Sequence, residues 1–194
     1  MQIENESNAL AVEAALKYLI RSYEILNSFY GVKHPSVSAA SLAVASVFSA
    51  VNRLTETREW LGSTIHLMEG LNPSPDRAIA FARQQLANVL VKQNYQREAI
   101  DVLHLTTQFY RTTVHNGIRK FDGNMTQKTL HFLYNKQLSR DLHIYFALTE
   151  KIVGLYKNFN QMNLSLEHTL SMIDLSDIAL GWDSPEFGMK DCMI

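Results

Sequence analysis

The sequence predicts an all-α protein built from consecutive helix hairpins. Apolar residues recur at spacings of three and four, the period of one helix face, over most of the 194 residues. The alternation typical of a half-buried strand is almost absent. The four prolines and eight glycines cluster between the periodic segments. We expect about seven helices. The candidate periodic segments number eight and lie at 8–30, 36–52, 57–70, 76–93, 96–112, 125–137, 138–158 and 163–179.

The first three segments have recognisable ends and faces. Segment 8–30 carries a wide apolar face opposite a charged one, and Gly31 is suited to the left-handed backbone that ends a helix. Segment 36–52 is rich in alanine and apolar nearly all round, which predicts burial on several sides. Segment 57–70 carries Trp60 and ends at a glycine followed by a proline-rich stretch.

The next pair of segments organises the chain. Ala87 and Ala99 lie where the helices of 76–93 and 96–112 would touch, so small residues permit a close approach. Residues 113–123 contain two Asn-Gly or Asp-Gly dipeptides and are predicted to form the longest loop. The remaining segments are amphipathic helices, and Gly181 is expected to end the last of them.

The helix pairs repeat along the chain. An offset of 41 residues, which superposes Arg58 on Ala99, aligns a small-rich helix, a polar turn and a second helix in each copy. A period of about 40 residues built from two helices is the signature of an α-solenoid, in which each pair buries its apolar face against the next.

Two stretches resemble a known repeat family. Leu86-Ala87-x-x-Leu90 followed by Tyr95-x-x-Glu98-Ala99 resembles the tetratricopeptide repeat (TPR), with its small residue in helix A, the first of each pair, and its alanine in helix B, the second. Gly31-x-x-His34-Pro35-x-Val37 is similar to the junction of the 42-residue repeats of kinesin light chains. The resemblance covers residues 14–110 and implies a right-handed superhelix with a concave binding face lined by helices A.

The sequence departs from the family pattern in three respects. Asn52 and Asn94 stand where each turn is expected to carry glycine, and Arg58 stands where helix B is expected to carry alanine. The chain also opens with what resembles a helix B, which leaves an apolar face over residues 10–29 for a cap or another chain. We assign residues 1–181 to one TPR-like domain and 182–194 to an irregular tail.

The resemblance points to polar residues on helices A as the partner-binding set. Their side chains can hydrogen-bond the backbone or a carboxylate of an extended peptide. The alternative is that they are only the solvated faces of amphipathic helices. The basic clamp of chaperone-binding repeats is not expected, because the aligned positions in the first helix A are Leu42, Ala43, Val47 and Val51. The predicted partner-binding residues are Arg83, Gln84, Asn88, Lys92, Lys128, His131, Tyr134 and Asn135.

Composition and charge argue against several functional classes. A formal net charge of −1 lacks the positive field of nucleic-acid binders. No apolar run is long enough to span a membrane, and the acidic start resembles no secretory signal. A single cysteine, Cys192, favours the cytoplasm or the reducing interior of an organelle over secretion.

No catalytic chemistry is evident in the sequence. We find no nucleophile with a base, no glycine-rich loop and no metal-ligand spacing, so no catalytic residue, metal or cofactor is predicted. We therefore expect a non-catalytic scaffold or adaptor that binds other proteins. Two alternatives remain: a structural subunit of a large assembly, and a helical accessory part of an enzyme.

Overall fold

The computed structural model describes residues 2–71, 74, 76–119 and 135–180, with side chains described from residue 10 to 176 within those ranges. The chain groups into two compact units, Met1–Val102 and Leu103–Ile194. The described helices are α1 (Gln2–Tyr30), α2 (Pro35–Ala50), α3 (Leu54–Glu69), α4 (Asp76–Lys92), α5 (Gln96–Arg119), α6 (Lys136–Asn158) and α7 (Met162–Leu180).

The predicted fold class is confirmed. The described residues form seven helices, and α1 with α2, α2 with α3, α3 with α4, and α6 with α7 pack as consecutive antiparallel pairs. Most helix ends fall within a few residues of those predicted. Two predictions lie outside the described residues, the body of the helix at 125–137 and the tail at 182–194. Residues 136 and 137 belong to α6, which begins before the predicted start at 138.

The first unit is held together by two hydrophobic clusters. Leu16 of α1 packs against Val44 and Phe48 of α2. A second cluster spans α2, α3 and α4, and alanines in it let the helices approach closely, as the sequence predicts. Its buried members are Ala45, Leu61, Ile65, Met68, Ile79, Ala82 and Val89.

Three helix ends share one turn geometry. Asn52, Asn94 and Asn160 have φ of 60°, 65° and 56°, the left-handed region that Asn tolerates better than most residues. The amide after each Asn donates to the carbonyl five residues earlier, at 2.8–2.9 Å, and the Asn amide donates three residues back. This is the Schellman motif. Asn52 and Asn94 therefore replace the expected glycines without changing the backbone.

We expect Asn94→Val to destabilise the protein by about 1–2 kcal/mol, because a β-branched side chain clashes with the backbone at positive φ. Asn94→Gly should leave stability unchanged or raise it slightly. Urea denaturation of both variants tests this. Equal losses for glycine and valine would contradict the role assigned to the left-handed backbone.

The turns correct the repeat offset. Asn52 and Asn94 are 42 residues apart, so the offset of 41 was wrong by one residue, and Thr57 rather than Arg58 is equivalent to Ala99. Thr57 and Ala99 are both buried, and each amide donates 3.0 Å to the carbonyl four residues earlier. Each position thus carries a small side chain, as the repeat requires. Arg58 is instead partly exposed and pairs with Glu98 at 2.7 Å.

Helix α5 corrects the predicted loop. It continues to Arg119, through the segment predicted to begin the longest loop, and Val114 and Ile118 on it are buried. At Gly117, close packing against α6 leaves no room for a side chain. A Cβ at this position would collide with Cδ1 of Leu138 and lie 3.1 Å from its Cγ.

The second unit brings α5, α6 and α7 together. Tyr145 of α6 is buried and its hydroxyl lies 3.1 Å from Oγ of Ser171 on α7. Leu142, Leu148 and Ile152 continue the buried face of α6. Asn135 caps α6, because its Oδ1 accepts from the amide of Leu138 at 3.1 Å.

Candidate protein-binding surfaces

One face of α4 presents a mixed apolar and polar row to solvent. The row consists of Phe81, Gln85, Asn88 and Lys92, at spacings of four, three and four residues that place them on one side of the helix. Phe81 is 48% exposed and Lys92 is also exposed, whereas Gln85 and Asn88 are half-buried. We call these four residues the α4 row.

The predicted binding residues of α4 divide between this row and its edges. Asn88 and Lys92 belong to the row, and Gln84 lies beside it. Arg83 faces α3, where its guanidinium donates to Oε1 of Glu69 at 2.6 Å and its side chain is only 23% exposed. The structure therefore gives Arg83 a role in joining α3 to α4. Whether any of the four binds a partner stays a prediction.

The predicted residues beyond α4 are only partly described. Lys128, His131 and Tyr134 lie outside the described residues. Asn135 lies at the start of α6, where its side chain serves as the helix cap. Phe81 is not among the residues predicted to bind, since an apolar residue on an amphipathic helix is usually buried.

The equivalent row of α2 is chemically different. With the corrected offset of 42, the α4 row corresponds to Ala39, Ala43, Ser46 and Ala50. These four are small and exposed or half-exposed, and α2 contains no charged residue. The positions 42 residues before Arg83 and Gln84 are Ser41 and Leu42, so the corrected offset still places no basic residue there. A small, uncharged surface allows close approach of a partner's apolar side chains or backbone.

Helix α1 has two apolar faces rather than one. Its inner face packs Leu16, Val12 and Ile20 against α2. Its outer face carries Ala11, Ala15, Tyr18, Ser22, Ile25 and Phe29, all exposed, with Tyr18 77% and Phe29 81% exposed. We call these six residues the outer seam. The structure thus divides the apolar face predicted over residues 10–29 into a covered half and an exposed half.

A cleft of about 650 Å³ runs along the other edge of α1. Its charged groups largely satisfy one another: Arg53 pairs with Glu13 at 3.0 Å and with Glu56 at 2.6 Å, and Arg21 pairs with Glu24 at 3.0 Å. These contacts tie the α2–α3 turn to α1.

Helix α7 also exposes apolar side chains at helical spacing. Met162, Leu166 and Leu170 are each more than half exposed and are spaced four residues apart. No Lys or Arg occurs between residues 162 and 180. This surface is shorter than the outer seam of α1.

Two histidines and a tyrosine cluster in the second unit. Nε2 of His104 lies 2.9 Å from the Tyr156 hydroxyl, and the His168 ring stacks on Tyr156 with centroids 5.6 Å apart. The two histidine rings are 4.7 Å apart. Burial lowers the pKa of His168, and the positive charge of a protonated His104 lowers it further, while Glu167 opposes both effects.

The protein should therefore lose stability on acidification below pH 6.5. Between that value and the lower pKa of folded His168, the unfolded chain binds more protons, so the free energy of unfolding falls as pH falls. His168 should contribute a slope in the free energy of unfolding that stays below ~1.4 kcal/mol per pH unit, the value for the uptake of one full proton. The contribution is smaller because solvent screens a partly exposed ring. Denaturation of wild type and His168→Phe across this range measures it, and an unchanged slope in the variant would contradict it.

Neither a metal site nor a membrane span is found in the part of the chain that the structure describes. Among the described residues, no group of three or more His, Cys, Asp or Glu side chains is placed to hold a metal ion. No helix in the described ranges combines the length and apolar character needed to cross a bilayer.

Comparison with known proteins finds distant structural likeness only. No family model matches the sequence, and no curated protein matches it. Two solved structures are similar to this chain. Both are of a protein from Podosopora anserina, a candidate kinesin light chain with nearly identical TPR-like repeats. The likeness covers 90% of this chain and 91% of each of the two structures. The identities are 14% for one and 12% for the other, a singly substituted form, with TM-scores of 0.47 and 0.46.

Proposed function

We propose that this chain is a non-catalytic interaction scaffold or adaptor, which binds a peptide or short helix of another protein on the α4 row. The observation that carries the proposal is Phe81. It is an aromatic side chain nearly half exposed on a well-packed helix, with the Gln85 amide one turn along the helix and the Lys92 ammonium group three turns along it. Aromatic anchors surrounded by polar groups are typical of binding surfaces.

Each group in the row has a complementary partner chemistry. Phe81 offers an apolar platform for a partner's aliphatic or aromatic side chain. Asn88 can donate to and accept from a peptide backbone, and Lys92 can pair with a carboxylate. Phe81 and Lys92 lie about 16 Å apart along the helix. The best ligand is therefore a short segment in which one large apolar residue and one acidic residue are separated by about five extended residues.

The repeat supports the choice of helices A. Within the first unit, α2 and α4 are equivalent helices of successive 42-residue repeats, and their equivalent rows face away from the clusters that bury the helices. Proteins built from such repeats commonly bind others along surfaces of this kind. We also propose that the ligands include no nucleic acid, cofactor or metal. The proposed location is the cytoplasm or a reducing organelle interior.

A second candidate, a structural subunit of a larger assembly, is favoured by the outer seam and α7. Both helices expose large apolar side chains in rows of the length that a neighbouring helix would cover. An adaptor should behave as a discrete particle without its partners, whereas an assembly subunit should aggregate or require its neighbours. Light scattering of the purified protein distinguishes them.

Affinity capture followed by cross-linking mass spectrometry tests the adaptor proposal. We expect cross-links to fall around Lys92, and Phe81→Ala to weaken capture about tenfold, the usual cost of truncating a binding anchor. Leu105→Ala is the matched control, because Leu105 is equally exposed but lies on α5. Wild-type capture by Phe81→Ala, with cross-links on another surface, would contradict the proposal.

A further inference from the structure

The outer seam of α1 has the spacing of a helix-pairing surface. Its six positions are separated by four, three, four, three and four residues, which is the alternation that keeps a seam facing one partner helix. It spans about 27 Å along the helix at 1.5 Å per residue. Every one of the six side chains is exposed, and none is charged.

The seam is graded in side-chain size. Its first two residues, Ala11 and Ala15, are small, and its last two, Ile25 and Phe29, are large. In the middle, a large Tyr18 is followed by a small Ser22. A helix laid antiparallel on this seam, centred between Tyr18 and Ser22, would meet each large residue with a small one if it carried the same sequence.

We propose that a second copy of this chain occupies the outer seam, with the two α1 helices antiparallel about a two-fold axis midway between Tyr18 and Ser22. Phe29 then packs on the second copy's Ala11, Ile25 on its Ala15, and Tyr18 on its Ser22. Such a contact is isologous, since each pair occurs twice by symmetry.

Size complementarity selects this arrangement over parallel pairing. A parallel pair in register would oppose Phe29 with Phe29 and Ala11 with Ala11. One end would then be crowded while the other left a void, and both are unfavourable in packed interfaces. Only the antiparallel register matches large to small at all six positions.

Charges beside the seam permit the contact. Arg21 flanks it near the two-fold axis and would approach its own copy, but each Arg21 is already paired with Glu24 of the same helix at 3.0 Å. The opposite flank is formed by Leu19 and Leu26, which are half-buried and apolar. Association should therefore depend weakly on salt concentration.

The exposed area predicts a weak dimer. The two aromatic residues account for most of the seam, and at 150–250 Å² each the interface is on the order of 500 Å² per chain. This lies at the low end for specific complexes, so we expect association at micromolar concentrations. The dimer does not involve the α4 row, so it is independent of the proposed partner binding.

Sedimentation analysis of the full chain over the micromolar range tests the pairing. Phe29→Ala should weaken dimerisation about ten- to a hundredfold, because the contact is lost twice. Ala11→Phe should weaken it similarly by crowding. The combined Ala11→Phe and Phe29→Ala variant exchanges the sizes and should restore most of the affinity. Leu105→Ala should have no effect, and all variants should melt like wild type because these side chains are exposed in the monomer.

Disulfide trapping fixes the orientation. In a Cys192→Ser background, a mixture of Ala15→Cys and Ile25→Cys chains should form a mixed disulfide dimer, whereas Ala15→Cys alone should not. Cross-linking of Ala15→Cys alone would show parallel pairing and overturn the proposal. A protein that stays monomeric throughout, or whose dimer is unaffected by Phe29→Ala, would also overturn it.

Discussion

Replacing Gly117 with valine is expected to destabilise the second compact unit by about 3 kcal/mol, the upper part of the range for overpacking a buried contact. Gly117 lies within α5, where Leu138 of α6 packs directly over its backbone. A side chain there would meet Cδ1, Cδ2 and Cγ of Leu138, the last two at 3.0 and 3.1 Å. Leu138 is itself buried, so it has little room to move away. Chemical denaturation with a probe in this unit measures the loss.

Gly154 provides the matched control for this prediction. It lies within helix α6, and nothing is within 4 Å of the position that a Cβ would take. Gly154→Val should be neutral or stabilising by a few tenths of a kcal/mol, because valine is a better helix former than glycine. Shortening Leu138 to alanine should reduce the additional cost of Gly117→Ala, giving a non-additive pair. Equal effects at Gly117 and Gly154 would contradict the packing role.

Gly117 also shows where local sequence patterns fail. Asn116-Gly117 is a strong turn signal, which predicts that the helix ends at 112. The contact between Gly117 and Leu138, which is distant in sequence, overrides this turn signal. A single sequence does not show that the two positions meet. The same local rule succeeded at Asn52 and Asn94, where turn chemistry and chain reversal agree.

Helices and alanine contacts were predictable because they depend on local periodicity. Ala87 and Ala99 are both buried, as predicted. The repeat offset was harder, since Thr57 and Arg58 are adjacent and alignment by residue identity favours neither. Only the positive φ of the two asparagines establishes that 42 residues separate equivalent positions.

The candidate surfaces were less predictable than the fold. Periodicity identified the apolar residues of α1 but did not distinguish Leu16, which is buried against α2, from Tyr18, which is exposed. Both belong to apolar rows, and which row is covered depends on the position of the neighbouring helix. The prediction of Arg83 as a binding residue likewise could not include Glu69, which pairs with it from α3.

The second large effect is expected in the first unit, at a buried pair of hydroxyl groups. Thr64 of α3 donates to the carbonyl of Trp60 at 2.6 Å, so its hydroxyl hydrogen is already used. Ser41 of α2 therefore donates to the Thr64 oxygen, and both side chains are essentially inaccessible to solvent. Thr64→Val keeps the volume but leaves the Ser41 hydroxyl buried without an acceptor. We expect it to cost about 2 kcal/mol, within the range for an unsatisfied buried polar group.

The two single substitutions in this pair should differ in how much stability they cost. Ser41→Ala removes the donor but leaves Thr64 bonded to Trp60, so it should cost less than about 1 kcal/mol. The double variant, which replaces both groups with apolar ones, should be more stable than Thr64→Val alone. A double-mutant cycle by urea denaturation measures the coupling. If Ser41 instead turned to a carbonyl of its own helix, Thr64→Val would cost no more than Ser41→Ala, and the pair would contribute little to joining α2 and α3.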